Sequence, residues 1–129
     1  MASIFSRIVN GEIPCYKVAE STDFLAFLDI QPLAMGHTLV IPKQETDYIF
    51  DLEDEAYQKL WAFAKDVAHI LKAHIPCKRI GVSVIGLEVP HAHIHLIPLQ
   101  TINDINFSGP KLNPTPEELA AVATLLQSK

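Results

Sequence analysis

The chain has 129 residues, of which 49% are hydrophobic and 19% are charged, and its formal net charge at pH 7 is −5. This composition is typical of one folded domain and excludes an intrinsically disordered chain, whose low hydrophobicity cannot offset the entropy lost on ordering. The negative net charge excludes a general nucleic-acid binder, which needs clustered Lys and Arg, but it permits a small anionic ligand held by backbone amides and imidazoles.

The first half of the chain predicts a short N-terminal element and three strands. Residues 4–9 are mostly apolar and precede Asn10-Gly11, a turn signal that we interpret as the start of a hairpin. Strands are predicted at residues 16–19, 24–29 and 37–41, where apolar runs are bounded by turn residues. An antiparallel meander is the simplest arrangement of these three strands.

One long helix is predicted over residues 52–74. Apolar residues recur there at the three- and four-residue spacing of a helix face. Asp51 is the expected N-cap, acidic residues follow in the first turn, and Pro76 ends the segment. We expect this helix to pack against the strands.

The second half adds two strands, a loop and a short helix. The strands are predicted at residues 80–85 and 89–99, and a polar loop follows at residues 101–114. A helix is expected at residues 116–126, because Thr115 can cap it and a proline occupies its first position. The whole order predicts an α+β fold, an antiparallel sheet of about five strands with one long helix and a short C-terminal helix. Since an open sheet edge favours pairing, a homodimer is also expected.

The sequence predicts neither a targeting segment nor a disulfide. Polar residues interrupt the N-terminal apolar run, and no stretch approaches the roughly 18 apolar residues of a membrane span. We therefore expect a cytoplasmic protein with no membrane partner. Cys15 and Cys77 lie far apart in no metal-binding or redox spacing, so each is predicted to be an ordinary thiol.

Three histidines alternate with apolar residues in residues 90–98, which read Pro-His-Ala-His-Ile-His-Leu-Ile-Pro. On a strand the side chains alternate between faces, so His91, His93 and His95 are expected on one face, with successive positions about 6.6 Å apart. The row therefore predicts a stripe of imidazoles on the sheet.

Three interpretations of this stripe are open. The histidines could be tolerated on a solvated sheet face. Two could bind zinc with a remote third ligand, although no carboxylate follows soon after His95 and His69 and His74 do not share a helix face. They could instead perform phosphoryl chemistry, in which one imidazole attacks phosphorus while its neighbours bind phosphate oxygens and protonate the leaving group.

Residues 91–97 match His-φ-His-φ-His-φ-φ, where φ is apolar, and so resemble the signature of the histidine triad (HIT) superfamily. Further blocks resemble the Hint branch in the same order, at residues 4–8, 11–14, 25–30 and 36–43. The resemblance covers about residues 4–100. It implies a single HIT domain over residues 1–129, with a C-terminal loop and short helix at 101–129.

The resemblance also implies a reaction. His93 would be the nucleophile that is transiently nucleotidylated, with its other ring nitrogen held by a backbone carbonyl. His95 would contact the phosphate and assist the leaving group, and His91 and His37 would support the site. The substrate would be a nucleoside 5′-phosphoryl compound with a purine base: AMP phosphoramidate, acyl-AMP or dinucleoside polyphosphate. No cofactor is obligatory and no residue is a metal ligand, but Mg²⁺ is compatible with polyphosphate substrates.

The same resemblance implies a nucleotide pocket made of apolar residues, one ribose-binding carboxylate and a phosphate segment. Taken alone, the apolar members would be assigned to the core and the carboxylate to a turn. The implied nucleotide-binding residues are Phe5, Ile8, Phe27, Asp29, Ile30, Leu39, Ser83, Gly86 and Glu88.

Two departures from the family pattern bear on function. Leu87 replaces a glutamine and Glu88 adds a carboxylate near the phosphate. This motivates an alternative, a nucleotide-binding regulatory or scaffold protein with little turnover. Ser3 and Ser6 stand where some bacterial members have a zinc-binding Cys-x-x-Cys, so no structural zinc is predicted. A zinc-dependent hydrolase that uses the histidine row is a third alternative.

Overall fold

Five strands form one antiparallel sheet in the computed structural model, which describes residues 2–127. The strands are β1 (Lys17–Glu20), β2 (Phe24–Leu28), β3 (Thr38–Pro42), β4 (Arg79–Ser83) and β5 (Ile94–Leu99). Their order across the sheet is β1-β2-β3-β5-β4, so β3 pairs with β5 and β4 forms an edge. The predicted meander is confirmed for β1 to β3.

Three α-helices occur within the described residues, and the long one and the C-terminal one were predicted. They are α1 (Ile4–Val9), α2 (Asp54–His74) and α3 (Pro116–Gln127). Short 3₁₀ helices lie at Ile49–Asp51 and Ile102–Ile105. Together with the antiparallel sheet they confirm the α+β fold. No helix in residues 2–127 is both long and apolar enough to cross a membrane.

The N-terminal element is a helix, and the predicted hairpin at Asn10-Gly11 is wrong. The Ser3 hydroxyl accepts a hydrogen bond from the Ser6 N–H at 3.0 Å and caps α1. Gly11 has a φ of 82°, and its N–H donates to the Ile8 carbonyl at 3.1 Å. The turn signal therefore ends a helix, as glycine with positive φ commonly does.

The two predicted helix caps differ in outcome. Asp51 lies in the 3₁₀ helix rather than at the start of α2, which begins at Asp54, so that cap was predicted wrongly. Thr115 caps α3 as predicted, because its hydroxyl accepts from the Glu118 N–H at 3.1 Å. The Glu118 carboxylate accepts in return from the Thr115 N–H at 2.9 Å, which completes a capping box.

The strand that was predicted from residue 89 begins only at Ile94. The Ala92 N–H donates to the Thr46 carbonyl at 2.7 Å, so the preceding segment is hydrogen-bonded to the loop after β3 instead of to a strand. Of the three alternating histidines, only His95 belongs to β5. The strand prediction is therefore wrong for His91 and His93, which a short loop carries. The imidazoles are still grouped, because the ring centroids of His93 and His95 are 4.8 Å apart and Phe5 packs against both His91 and His93.

The inner strands β2 and β3 bury side chains on both faces of the sheet. One face of β2 contributes Phe24, Ala26 and Leu28 to the main core with α2 and α3. The other face contributes Leu25 and Phe27 to a smaller cluster beneath α1. The second cluster continues into a cleft, which places the candidate site on the face of the sheet that α2 does not cover.

Candidate active site

A cleft of about 480 Å³ opens beside α1 and the start of β5. This volume is in the range of small-molecule pockets. Ten of the residues implied by the family resemblance line it, namely Phe5, Ile8, Phe27, Asp29, Ile30, Leu39, Gly86, Glu88, His93 and His95. The other three do not: His37 and His91 are buried behind it, and Ser83 lies half-buried in β4 opposite His95.

The tautomer of His93 follows from its hydrogen bond. Its Nδ1 lies 2.8 Å from the backbone oxygen of His91, and a carbonyl can only accept. In the neutral ring, Nδ1 therefore carries the proton and Nε2 presents a lone pair. Within residues 2–127 that Nε2 has no hydrogen-bond partner, while the ring lines the cleft. The rings of Phe5 and His93 pack nearly perpendicular to each other at a centroid distance of 5.0 Å, which restricts the orientation of His93.

In His37 and His95 the proton is on the other ring nitrogen: Nδ1 accepts a hydrogen bond and Nε2 carries the proton, the reverse of His93. The Leu33 N–H donates to Nδ1 of His37 at 3.0 Å, so neutral His37 carries its proton on Nε2. That Nε2–H donates to Nδ1 of His95 at 3.0 Å, which leaves His95 protonated on its own Nε2. Since His95 lines the cleft, its remaining N–H is available to an anion there.

Burial keeps this pair neutral. Desolvation, assisted by the charges of Lys111 and His93, lowers the pKa of His37 to about 4. Desolvation, assisted by His93 and His37, lowers the pKa of His95 to about 3. At neutral pH the pair is therefore a fixed hydrogen-bond relay and not a source of cationic imidazole. The site holds one imidazole with a free lone pair beside one with a free N–H.

Asp29, His37 and His95 each place a possible ligand atom within 4.8 Å of the others. Zn²⁺ would need the lone pair of His37 Nε2, but that atom carries the ring proton while the Leu33 N–H occupies Nδ1. A metal there would have to break the Leu33 bond or convert His37 to imidazolate. The three residues therefore fit a hydrogen-bonded group better than a metal site, and the absence of a metal ligand set stays a prediction.

Asp29 follows β2 at the rim of the cleft. Its Oδ1 accepts from the Gln31 N–H at 2.9 Å, while Oδ2 lies 3.8 Å from Nε2 of His37. Burial raises the pKa of Asp29, against the opposing effects of the Gln31 hydrogen bond and the positive charge of Lys111. Its carboxylate can accept hydrogen bonds from vicinal hydroxyl groups.

Sequence reasoning missed several lining residues, most notably two in the loop after β5. Phe107 packs its ring against His95 at a centroid distance of 4.7 Å and an interplanar angle of 68°. Lys111 adds a cation to the cleft, and the next N–H, that of Leu112, donates to the Pro32 carbonyl at 2.9 Å. The length of this loop was the available signal, because long ordered loops are often functional.

The remaining missed residues line the apolar and outer parts of the cleft. They come from the N-terminal segment, the end of β2 and the loop before β5, and are Ile4, Ile13, Pro14, Cys15, Leu28, Gln31, Ile85 and Val89. Their side chains carry no distinguishing sequence pattern, and only the fold brings them together. Leu87, which the sequence analysis placed near the phosphate, lines the cleft beside them. The resulting wall is largely apolar.

Comparison with known proteins identifies the family of the chain. A family model for the HIT domain matches residues 10–102. Adenosine 5′-monophosphoramidase hnt1 of Schizosaccharomyces pombe is 34% identical over 131 residues, covering 100% of this chain and 98% of the relative. Adenosine 5′-monophosphoramidase HNT1 of Saccharomyces cerevisiae is 39% identical, covering 75% of this chain and 62% of the relative. The crystal structure of a Hit-like protein from Bartonella henselae has a TM-score of 0.84 at 28% identity, covering 97% of this chain and 94% of that one. The chain belongs to the HIT domain family.

Proposed function

We propose that the protein is a nucleotidyl hydrolase that cleaves nucleoside 5′-phosphoryl compounds through an intermediate on His93. The observation that carries this proposal is the 2.8 Å bond from His93 Nδ1 to the His91 carbonyl, which leaves Nε2 as the unprotonated nitrogen. Two relatives named as adenosine 5′-monophosphoramidases support nucleotide hydrolysis as the reaction class. Among the substrates considered, AMP phosphoramidate therefore ranks first, before acyl-AMP and dinucleoside polyphosphate.

The reaction consists of two displacements at phosphorus. The lone pair of His93 Nε2 forms the P–N bond, and the leaving group departs with its bonding electrons and takes a proton from water. The nucleotidyl imidazole, still protonated at Nδ1, is cationic, and the His91 carbonyl stabilises it. A water molecule then forms a P–O bond and gives a proton to solvent, while the P–N bond breaks and its electron pair returns to Nε2.

His95 and Asp29 supply the binding contacts in this mechanism. The Nε2–H of neutral His95 donates to a phosphoryl oxygen, where charge develops during attack. Asp29 accepts from the ribose hydroxyls, and the apolar wall holds a purine, preferably adenine. These contacts require no bound metal, and Mg²⁺ is relevant only as an ion that accompanies a polyphosphate substrate.

We propose a homodimer formed through β4. β4 is an edge strand, and Val82 within it is 49% exposed. A monomeric mass in sedimentation at micromolar concentration would contradict this assembly.

A second candidate function is a nucleotide-binding protein with little turnover. Leu87 is 88% exposed at the mouth of the cleft, and Glu88 places a carboxylate in it. An anionic side chain near the phosphate would oppose binding of a polyanionic leaving group. This candidate predicts AMP binding without measurable hydrolysis.

AMP release from adenosine 5′-phosphoramidate in the presence of a chelator separates these functions. The native protein should release AMP, His93→Ala should not, and His69→Ala, a change at an exposed histidine of α2, should retain the native rate. Binding of AMP without release would favour the second candidate. Activity that is lost in chelator and restored by Zn²⁺ would favour a metal-dependent hydrolase.

A further inference from the structure

His91 is fully buried and does not line the cleft, yet both of its ring nitrogens are hydrogen-bonded. Nε2 lies 2.7 Å from the Pro42 carbonyl, so it carries the proton. Nδ1 therefore accepts, and its partner at 2.8 Å is the Ser3 hydroxyl, which must be the donor. The side chain of His91 is held between the N-terminal cap of α1 and the end of β3.

The Ser3 hydroxyl belongs to a larger network that ends on a carboxylate. The Ser3 N–H and the Ser6 hydroxyl both donate to Oε1 of Glu45, each at 2.7 Å. The Ser6 proton is thereby engaged, so its oxygen, 3.4 Å from His91 Nδ1, cannot donate to that nitrogen at the same time. The Ser3 hydrogen bond, followed by that of Ser6, holds the pKa of Glu45 at about 2. Glu45 is thus an anion throughout the neutral range.

We propose that Ser3 and Glu45 are positioning residues for the nucleophile His93, an inference that rests on the role proposed for His93. Ser3 fixes the ring of His91, and the His91 carbonyl accepts the Nδ1–H of His93 at 2.8 Å. This bond sets the tautomer in which Nε2 can attack. The Glu45 carboxylate orders Ser3 and provides negative charge behind the carbonyl when His93 becomes cationic.

The network differs from an ordinary helix cap in what it requires of the Ser3 hydroxyl. A cap needs only an acceptor, and the Ser3 oxygen supplies one to the Ser6 N–H at 3.0 Å. Positioning His91 also needs a donor directed at Nδ1. Loss of the cap alone would lower the stability of α1, whereas loss of the donor would change the tautomer of His93 and the rate of its attack.

The first test measures the single-turnover release of a fluorescent amine from its adenosine 5′-phosphoramidate. Ser3→Ala should slow release about tenfold, the effect of one ordinary hydrogen bond, with AMP affinity within about twofold of native. Ser3→Thr should restore the rate because it keeps the hydroxyl. Ser21→Ala is the matched control, since Ser21 accepts from the Phe24 N–H in a turn of β1 and β2 and should have no effect.

The role of the Glu45 carboxylate is tested with a variant of Glu45 and a matched control variant of Glu20. Glu45→Gln should slow release several-fold, whereas Glu20→Gln should leave it unchanged. Both side chains are exposed carboxylates whose pKa is held at about 2 by hydrogen bonds, but Glu20 bonds Lys17 and Lys43 and not the His91 network. Equal rates in native, Ser3→Ala and Glu45→Gln proteins would overturn the positioning role while leaving the proposed function intact.

A second measurement is independent of turnover. Long-range ¹H–¹⁵N spectra of the imidazole rings report which nitrogen of His93 carries the proton. The native protein should show the Nδ1–H tautomer alone, and Ser3→Ala should show a mixture. A single unchanged tautomer in both proteins would contradict the proposal even if the protein hydrolyses no phosphoramidate.

Discussion

The two faces of the sheet use the same strands for different purposes. On one face, α2 and α3 cover a continuous apolar core that includes Leu60, Val67 and Leu71 of α2, all fully buried. On the other face, the six-residue helix α1, together with Cys15 and Val89, covers a small cluster that opens into the cleft. Stability is therefore concentrated on the first face. Because of this, the second face can hold buried imidazoles and a carboxylate, groups that cost stability unless they are hydrogen-bonded.

The largest expected effect is a loss of stability on the face of the sheet that α2 and α3 cover. Leu71→Ala should lower the free energy of unfolding by about 2 to 5 kcal/mol, because it opens a cavity in a close-packed core. Urea denaturation measures this loss. The folded fraction should retain native AMP affinity and turnover. A change in turnover per folded molecule would contradict the separation of the two faces.

On the face that carries the cleft, His37→Ala should slow turnover about tenfold to a hundredfold, because His95 loses the partner that sets its tautomer. His37→Gln should recover most of that rate. A glutamine side chain offers an acceptor to the Leu33 N–H and a donor to His95 Nδ1, the two roles that His37 has. Steady-state kinetics with adenosine 5′-phosphoramidate provides the comparison, and equal rates in the two variants would argue against the relay.

The buried imidazoles should also make stability depend on pH. The pKa values of His37 and His95 are lowered from 6.5 to about 4 and 3, so below pH 6.5 the unfolded chain binds protons that the folded protein does not. Stability from these groups is present above pH 6.5 and is lost as the pH falls toward 4. The urea midpoint should decline over this range, and less steeply in His37→Gln. A midpoint independent of pH between 6.5 and 5 would contradict the neutral pair.

The smallest expected effect concerns the rim of the cleft. Glu88→Gln removes a carboxylate that is exposed, so water screens its charge. We expect a few-fold increase in kcat/KM for a dinucleoside polyphosphate relative to the phosphoramidate, since one repulsion of the anionic leaving group is removed. Competition between the two substrates in one reaction measures the ratio. An unchanged ratio would exclude Glu88 as a determinant of leaving-group preference.

Sequence reasoning predicted elements whose signals are local. The long helix follows from its apolar periodicity, and the cap of α3 follows from Thr115 and the acidic residues of the first turn. Helix α1 was missed because six residues are too few for a clear period. The start of β5 was misplaced because a tertiary bond, from Ala92 to Thr46, holds the preceding segment out of the sheet.

The site residues also divide into those with a local sequence signal and those that only the tertiary fold brings together. The histidine row and the family resemblance pointed to about half of the residues that line the cleft. Phe107 and Lys111 could not be assigned, because their place depends on how the loop after β5 returns across the sheet. The bonds among Ser3, Glu45 and His91 join positions 42 and 88 residues apart and have no local signature. Tautomers were likewise beyond the sequence, since they depend on which carbonyl or N–H faces each ring.

The most direct test of the central claim, attack by His93, is the stereochemistry of the reaction. Hydrolysis of a P-chiral adenosine 5′-phosphoramidothioate in ¹⁸O-water yields a chiral product whose configuration can be determined. Two successive in-line displacements, the first by His93 and the second by water, predict net retention at phosphorus. Inversion would mean that water attacks phosphorus directly and would contradict a nucleotidyl-His93 intermediate.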